Sequence, residues 1–197
     1  MKKSYIIASI LLLFFLNNIL AQEKFEFHNL QWRDGEIVIN EAHLDDQVFI
    51  TFETRNIPDN EVVDIEIWVK TNGELVDFVS LTQGSVRNGI VNIEWTVELP
   101  MNNVNANYVR EIEENGYTIV DFAFLIRNNN LIFVSGLLEI YDWFDYEIIN
   151  DTTGEPIPNS DFLILGPDGK FMPGTTNDEG RAIMRNLRRI GNYTFIM

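Results

Sequence analysis

Between Phe25 and Tyr141 apolar and polar residues alternate with a period of two, and that pattern restricts the chain more than any other feature. Val63, Ile65, Ile67 and Val69 share one face, with Asp64 and Glu66 on the other. Val48, Ile50 and Phe52 in Gln47 to Glu53 do the same, as do Val91, Ile93, Trp95 and Val97, and Val120, Phe122, Phe124 and Ile126. Successive side chains of a strand point to opposite faces, so each run reads as a strand with one face in a core and the other in water. Leu75 to Leu81, Leu131 to Ser135 and Leu137 to Tyr141 are shorter candidates. Thr71-Asn72-Gly73 and Arg87-Asn88-Gly89 place Asn-Gly where a two-residue reversal needs positive φ, which predicts two hairpins. With Asn56-Ile57-Pro58-Asp59-Asn60 as a further turn, about seven strands fit, the count and spacing of a β-sandwich. The polar connection from Pro100 to Gly116 is the exception: Tyr108 to Asn115 has room for one or two helical turns.

A second unit begins near Tyr146. In Asp151 to Pro158, Pro156 and Pro158 fix φ and remove backbone donors, so this segment is a turn leading to a sheet edge and not a central strand. Phe162 to Leu165, the turn Gly166 to Gly169, a stretch to Gly174, the turn Asn177 to Gly180 and a last strand from Asn192 to Met197 follow. A β unit of this size without a disulfide buries only ~60% of its unfolded surface, so it is expected to pack on the first. The join, Leu138 to Tyr146, contains no Gly, Ser or Pro linker.

Lys2 and Lys3, the apolar run from Tyr5 to Leu16 broken only by Ser9, and then Asn17 to Ala21 have the layout of a signal peptide, and the apolar run is too short to span a bilayer. The expected domains are therefore a leader over 1–21, a sandwich over 22–145 and a small β domain over 146–197. No transmembrane segment is expected in the mature chain. The chain has no cysteine, so an exported product must rest on its core and not on disulfides. Its formal net charge is −16, and 23 acidic but only 7 basic side chains lie between Gln22 and Asp145. Such a surface repels nucleic-acid phosphates, so no nucleic acid is expected as partner.

The turns Thr153 to Asn159, Gly166 to Gly169 and Gly174 to Arg181, with Gly191-Asn192-Tyr193-Thr194, resemble those of transthyretin-like or carboxypeptidase-regulatory-like domains, which are small Greek-key β-sandwiches. Trp32, Asp45 to Val48, Asn88-Gly89 to Trp95, and Ser135 to Ile140 resemble bacterial Ig-like segments of surface proteins and of proteins attached to type VI secretion spikes. The resemblance implies an all-β chain, an Ig-like sandwich followed by a transthyretin-like unit packed against it. It also implies a non-catalytic binding or structural module exported to the periplasm, cell surface or medium. An accessory carbohydrate-binding protein and a spike-like adaptor are the alternatives, with a protein or a glycan as partner. Hydroxyisourate hydrolases of transthyretin fold resemble one another in a His and Arg site and a C-terminal Tyr-Arg-Gly-Ser, whereas this chain ends Thr194-Phe195-Ile196-Met197. Pilin-type sandwiches often carry a cross-linking lysine where this chain has Ile149.

Little in the sequence is grouped for chemistry. His28 and His43 form no His-x-x-x-His or His-x-x-Glu pair and stand beside no evident nucleophile. Asp45-Asp46, Asp59 to Asp64 and Glu111 to Glu114 lack the spaced loop that fixes calcium geometry. No enzyme activity, metal or cofactor is expected. Aromatic side chains supply the interaction candidates: Trp68, on the polar side of its strand; Tyr108 and Tyr117, flanking the Asn-rich loop; and Trp143 and Phe144, at the join between the units. Ile19 and Ala21 suit the positions three and one before a cut, so N-terminal sequencing of the secreted chain should begin at Gln22.

Overall fold

A computed structural model of the chain describes residues 24–128 and 131–196. The leader pattern and the cut before Gln22 lie outside these residues. In chain order the elements are β1 (Glu26–Asp34), β2 (Ile37–Ile39), β3 (Glu41–His43), β4 (Gln47–Arg55), β5 (Val62–Thr71), β6 (Glu74–Ser85), β7 (Ile90–Thr96), α1 (Asn107–Asn115), β8 (Tyr117–Thr118), β9 (Asp121–Asn128), β10 (Leu131–Val134), β11 (Leu138–Glu147), β12 (Asp161–Leu165), β13 (Phe171–Thr175), β14 (Arg181–Leu187), β15 (Ile190–Gly191) and β16 (Thr194–Ile196).

The protein is an all-β sandwich. One layer is the antiparallel sheet β2-β1-β4-β7; the facing layer has the order β14-β11-β9-β5-β6, with β10 also on β9 and β3 parallel to β11. The alternating faces meet between them. Val48, Ile50 and Phe52 of β4, Ile65, Ile67 and Val69 of β5, and Phe122, Phe124 and Ile126 of β9 are all buried in one cluster. Each such side chain contributes roughly 1.5–3 kcal/mol when fully buried. Trp32 crosses the interlayer space, its ring 5.0 Å from Phe124 in an edge-to-face contact and 5.7 Å from Trp95, while its Nε1 donates to Gly136 O at 3.1 Å.

Asn72 and Gly73 both adopt positive φ, and β5 pairs with β6 directly across them. Asn88 and Gly89 also reverse the chain with positive φ, but the expected hairpin does not form. Past the single bridge Arg87↔Ile90, β6 stays on β5 while β7 joins β4 in the other layer, so this turn is a corner of the sandwich. The corner is tight: a Cβ on Gly84 would stand 2.4 Å from Val91 Cγ1.

Helix α1 forms where the polar connection allowed it, but its first N–H groups find their acceptor on another strand. Asp77 of β6, buried, accepts from Asn107 N at 2.9 Å and from Tyr108 N at 3.3 Å, meeting the positive end of the helix with a carboxylate. Gly116 closes the other end in the left-handed region, its N–H bonded to Ile112 O.

The remaining strands build a smaller sandwich. The sheet β13-β12-β16 faces the part of β11 and β14 beyond the first core, with Ile148, Phe162, Ile164 and Ala182 buried between the layers. Pro173 and Gly174 do not prevent β13 from forming, because β13 is an edge strand, and the Phe162 ring fills the space a Cβ on Gly174 would need. No helix among the described residues is long and apolar enough to cross a membrane. Replacing Asp77 by Ala leaves two helix N–H groups and Asn107 Nδ2 without their acceptor, and chemical denaturation should show a loss of about 2–3 kcal/mol.

Candidate functional site

The aromatic candidates separate into two groups. Tyr117, Trp143 and Phe144 come together at the joint between the two sandwiches; Trp68 and Tyr108 do not. Tyr108 is 2% exposed and donates its hydroxyl to Pro100 O at 2.8 Å, which makes it a core residue of the helix and removes it as a contact surface. Its pKa is raised, first by burial and then by Asp77. Trp68 is half-buried on the outer face of β5, edge-on to Phe78 at 5.5 Å, with Nε1 donating to Glu66 Oε2 at 2.8 Å. Glu66 is paired with Arg127, whose hydrogen bond holds the carboxyl below its usual pKa against the opposing effect of burial.

The joint is built around β11. Its first residues pair with β9 and β3 in the large sandwich, and Asp142 to Glu147 pair with β14 in the small one, so a single strand belongs to both. Arg188 locks the junction, with Nη1 donating to Val120 O and Ile140 O at 2.8 Å each and Nη2 to Asp121 Oδ1. Next to it Gly191 of β15 lies against β8, where a Cβ would stand 2.3 Å from Gly116 O. Three arginines stack on three rings across the joint: Arg185 over Trp143, Arg188 over Tyr141 and Arg189 over Tyr117, with separations of 5.6, 5.5 and 5.3 Å. Trp143 Nε1 donates to Leu44 O at 2.9 Å, and His43 contacts Asp46 Oδ2 at 3.3 Å and Asn186 Oδ1 at 2.9 Å. His43 is therefore engaged on both ring nitrogens within the joint, whereas His28 is exposed beside Glu26. Among the described residues no three His, Asp or Glu side chains are grouped so as to hold a metal ion.

Beside the joint lies a cavity of about 250 Å³, bounded by Asp142, Phe144 and Tyr146 of β11 and by Tyr193 and Phe195 on or next to β16. Phe144 stacks on Tyr146 with ring centres 5.3 Å apart. Tyr193 donates its hydroxyl to Arg189 O at 2.5 Å, and burial, helped by Asp142, pushes its pKa up to about 12. Asp142 is the unusual group. Burial raises its pKa, the Trp143 N–H at 2.8 Å only partly offsets this, and the nearby Asp45 adds repulsion. Three other carboxylates of this region have cationic partners: Asp121 with Arg188, Asp145 with Arg181, and Asp168 with Lys170 and Arg189. A larger groove of about 690 Å³ runs along the outer face of β12, β13 and β16, lined by Leu163, Pro173 and Ile196. Its one carboxylate, Asp161, accepts from Thr175 Oγ1 at 2.8 Å.

Asp142, Tyr193 and the stacked arginines did not stand out in the sequence, because their partners lie far apart along the chain. One signal was available: Arg188-Arg189 is the sole adjacent pair of basic residues after Lys2-Lys3 in a strongly acidic chain.

The fold and site define an all-β sandwich protein whose aromatic and charged side chains converge on the joint between two stacked units. No protein-family model matches the chain, and no curated protein matches it. Among solved structures it is similar to trypsin-activated alpha-2-macroglobulin from Escherichia coli at 8% identity and a TM-score of 0.37, over 83% of this chain. The chain spans 13% of that protein's length.

The pKa of Asp142 has a sign that can be measured. A carboxyl whose folded pKa is raised stabilises the fold most when protonated, below the unfolded value near 3.8, and that stability is lost as pH rises through the folded pKa. Asp142→Asn keeps an acceptor for the Trp143 N–H and removes the desolvated charge, so melting curves should show it more stable than the native chain at pH 7, with the difference shrinking as pH falls toward 4.

Proposed function

We propose that this chain is an exported, non-catalytic binding module of the cell envelope or surface, in which an Ig-like sandwich presents a smaller transthyretin-like unit to a protein partner. The observation that carries the reading is the continuity of β11 through both units, locked by Arg188. A flexible tether would let the units move independently; a shared strand with buried cross-connections holds the joint cavity and its aromatic rim in one geometry before a partner arrives. Preorganisation of that kind lowers the entropic cost of association, which suits a binding surface. Both histidines are held by carboxylate or amide side chains and, among the described residues, no nucleophile is bonded to either, which favours binding over acyl-transfer chemistry. The resemblance of the small unit to transthyretin-like domains and the leader pattern of Met1 to Ala21 point to the same setting.

The test is fractionation of cells making the full chain with a C-terminal tag, followed by binding of the purified mature chain to intact cells. The tag is expected in the envelope or medium and open to added protease, with saturable binding that His28→Ala and His43→Ala leave unchanged. Retention in the cytoplasm, or hydrolytic turnover abolished by either substitution, would overturn the reading. Saturable capture on a glycan array, weakened by Trp68→Ala, would move it to the carbohydrate-binding alternative.

A further inference from the structure

The small sandwich is open on one side. Beyond Tyr141, β11 pairs with β14 along one edge, and among the described residues no strand pairs with its other edge. In the facing layer β16 is likewise an edge strand. The cavity of about 250 Å³ is lined from both of these strands, by Asp142, Phe144 and Tyr146 of β11 and by Phe195 of β16. Unpaired N–H and C=O groups on a strand edge form a template for another extended chain, and proteins ordinarily blunt such edges with bulges, prolines or covering loops. From Trp143 to Glu147 the chain has no proline, and the register irregularity with β14 lies before Phe144. Tyr146, 60% exposed, presents a large ring at the cavity rim.

The chemistry inside selects what would enter. Among the described residues Asp142 is a half-buried carboxylate with one protein donor, the Trp143 N–H, and no cationic partner, while its neighbours Asp121, Asp145 and Asp168 are each paired with arginine. It costs the fold stability where it stands, and a residue that does so in a cavity lined by aromatic rings is a candidate for ligand recognition. A cationic side chain entering there would meet an unpaired carboxylate and the rings of Phe144, Tyr146 and Tyr193, and would restore the charge balance that burial disturbs. The cavity falls below the size range of sites for drug-sized ligands and suits one side chain. The strongly acidic surface of the chain would attract a basic segment over longer distances.

We propose that this open side is a strand-addition site: an extended segment of a partner protein lies along the free edge of β11 from Trp143 to Glu147 and places a lysine or arginine side chain in the cavity against Asp142. Main-chain hydrogen bonds along the edge supply affinity, and the alternate side chain that enters the cavity supplies specificity. This names the partner chemistry of the binding role proposed above and rests on that reading.

The test uses the mature chain as bait for a display library of random heptapeptides, with calorimetry on the recovered sequences as synthetic peptides. Recovered peptides are expected to carry Lys or Arg with β-branched or aromatic residues at alternate positions. They should bind Asp142→Asn at least about tenfold more weakly. Exchanging their basic residue for norleucine should cost as much against the native chain and nothing further against Asp142→Asn. Hydrogen exchange should slow within Trp143 to Glu147 on binding. A folded Asp142→Asn protein, verified by its melting curve, ensures that a loss of binding is not a loss of fold. The proposal is overturned by peptides lacking a basic residue, by equal affinity for the variant, by protection confined to other strands, or by recovery of no peptide, which would make Asp142 an edge guard. Butylammonium binding as tightly as the peptides would assign the cavity to small amines, and self-association lost in Asp142→Asn would assign the edge to a second copy; either excludes the partner segment. If binding to cells persists in Asp142→Asn, the module reading stands and this site falls; if export fails while the peptides still bind as described, the reverse holds.

Discussion

The architecture depends on one strand serving two cores. β11 leaves the large sandwich after Tyr141 and continues as a wall of the small one, so neither unit can be placed without the other. The junction has a physical problem: where β9 begins and β14 takes over, Val120 O receives only a long bond from Ile140 N at 3.3 Å, so the carbonyls of Val120 and Ile140 have room for further donors. Arg188 supplies them from its planar guanidinium and satisfies Asp121 with the same group. A lysine could not do this, because its ammonium lacks the fork that reaches two carbonyls and a carboxylate at once. The ring of Tyr141 beneath Arg188 keeps the guanidinium in place.

Electrostatics at the joint follow from that arrangement. The arginines of the second unit meet carboxylates and aromatic faces of the first, so an excess of acid on one side is answered locally by base on the other. Arg189 stands 3.4 Å from Asp168 and over Tyr117, and Arg181 holds Asp145. Asp142 lies inside this network without sharing it. Its partial burial, with Asp45 as a like charge nearby, makes it a point of local frustration in a region otherwise well matched.

The sequence-to-structure relation was clearest where information is local. Alternation identified β4, β5 and β7 because each buries one face, and period two shows that directly, whereas β9 buries Ala123 and Leu125 on its second face as well. Asn72-Gly73 declared its turn because positive φ at two successive residues is a local demand. Asn88-Gly89 declared its turn as well, yet whether the strands leaving it pair together or part to opposite layers depends on Val91 and Ile93 packing past Gly84, a contact between layers. β14 carried no strand signal because Arg185 and Asn186 interrupt its apolar face, and pairing with β11 supplies what its own side chains do not. Tyr108 looked like a loop aromatic because its surroundings in sequence are polar; the helix that buries it is anchored by Asp77, 31 residues earlier. Trp143 and Phe144 were legible as joint residues because an unbroken apolar and acidic run between two β units leaves no room for a linker.

The small unit shows why the shared strand matters energetically. Its core has four buried residues, Ile148, Phe162, Ile164 and Ala182, far fewer than the cluster of the large sandwich. A layer pair that small gains too little from burial to offset the entropy of ordering its strands alone. β11 enters it already ordered by the larger core, so the unit needs to recruit only the remaining strands onto an existing edge, and β8 pairing with β15 ties down the return of the chain. Opening the small unit exposes less apolar surface than opening the large one, which makes it the less costly of the two to open. The less costly unit to open is also the one with a side left without a strand among the described residues, and β11 and β16 both line the cavity beside Asp142. Stability and recognition therefore draw on the same missing element: a segment that completed the sheet would add hydrogen bonds to a free edge, shield the aromatic rims and give the carboxylate the cation it lacks among the described residues.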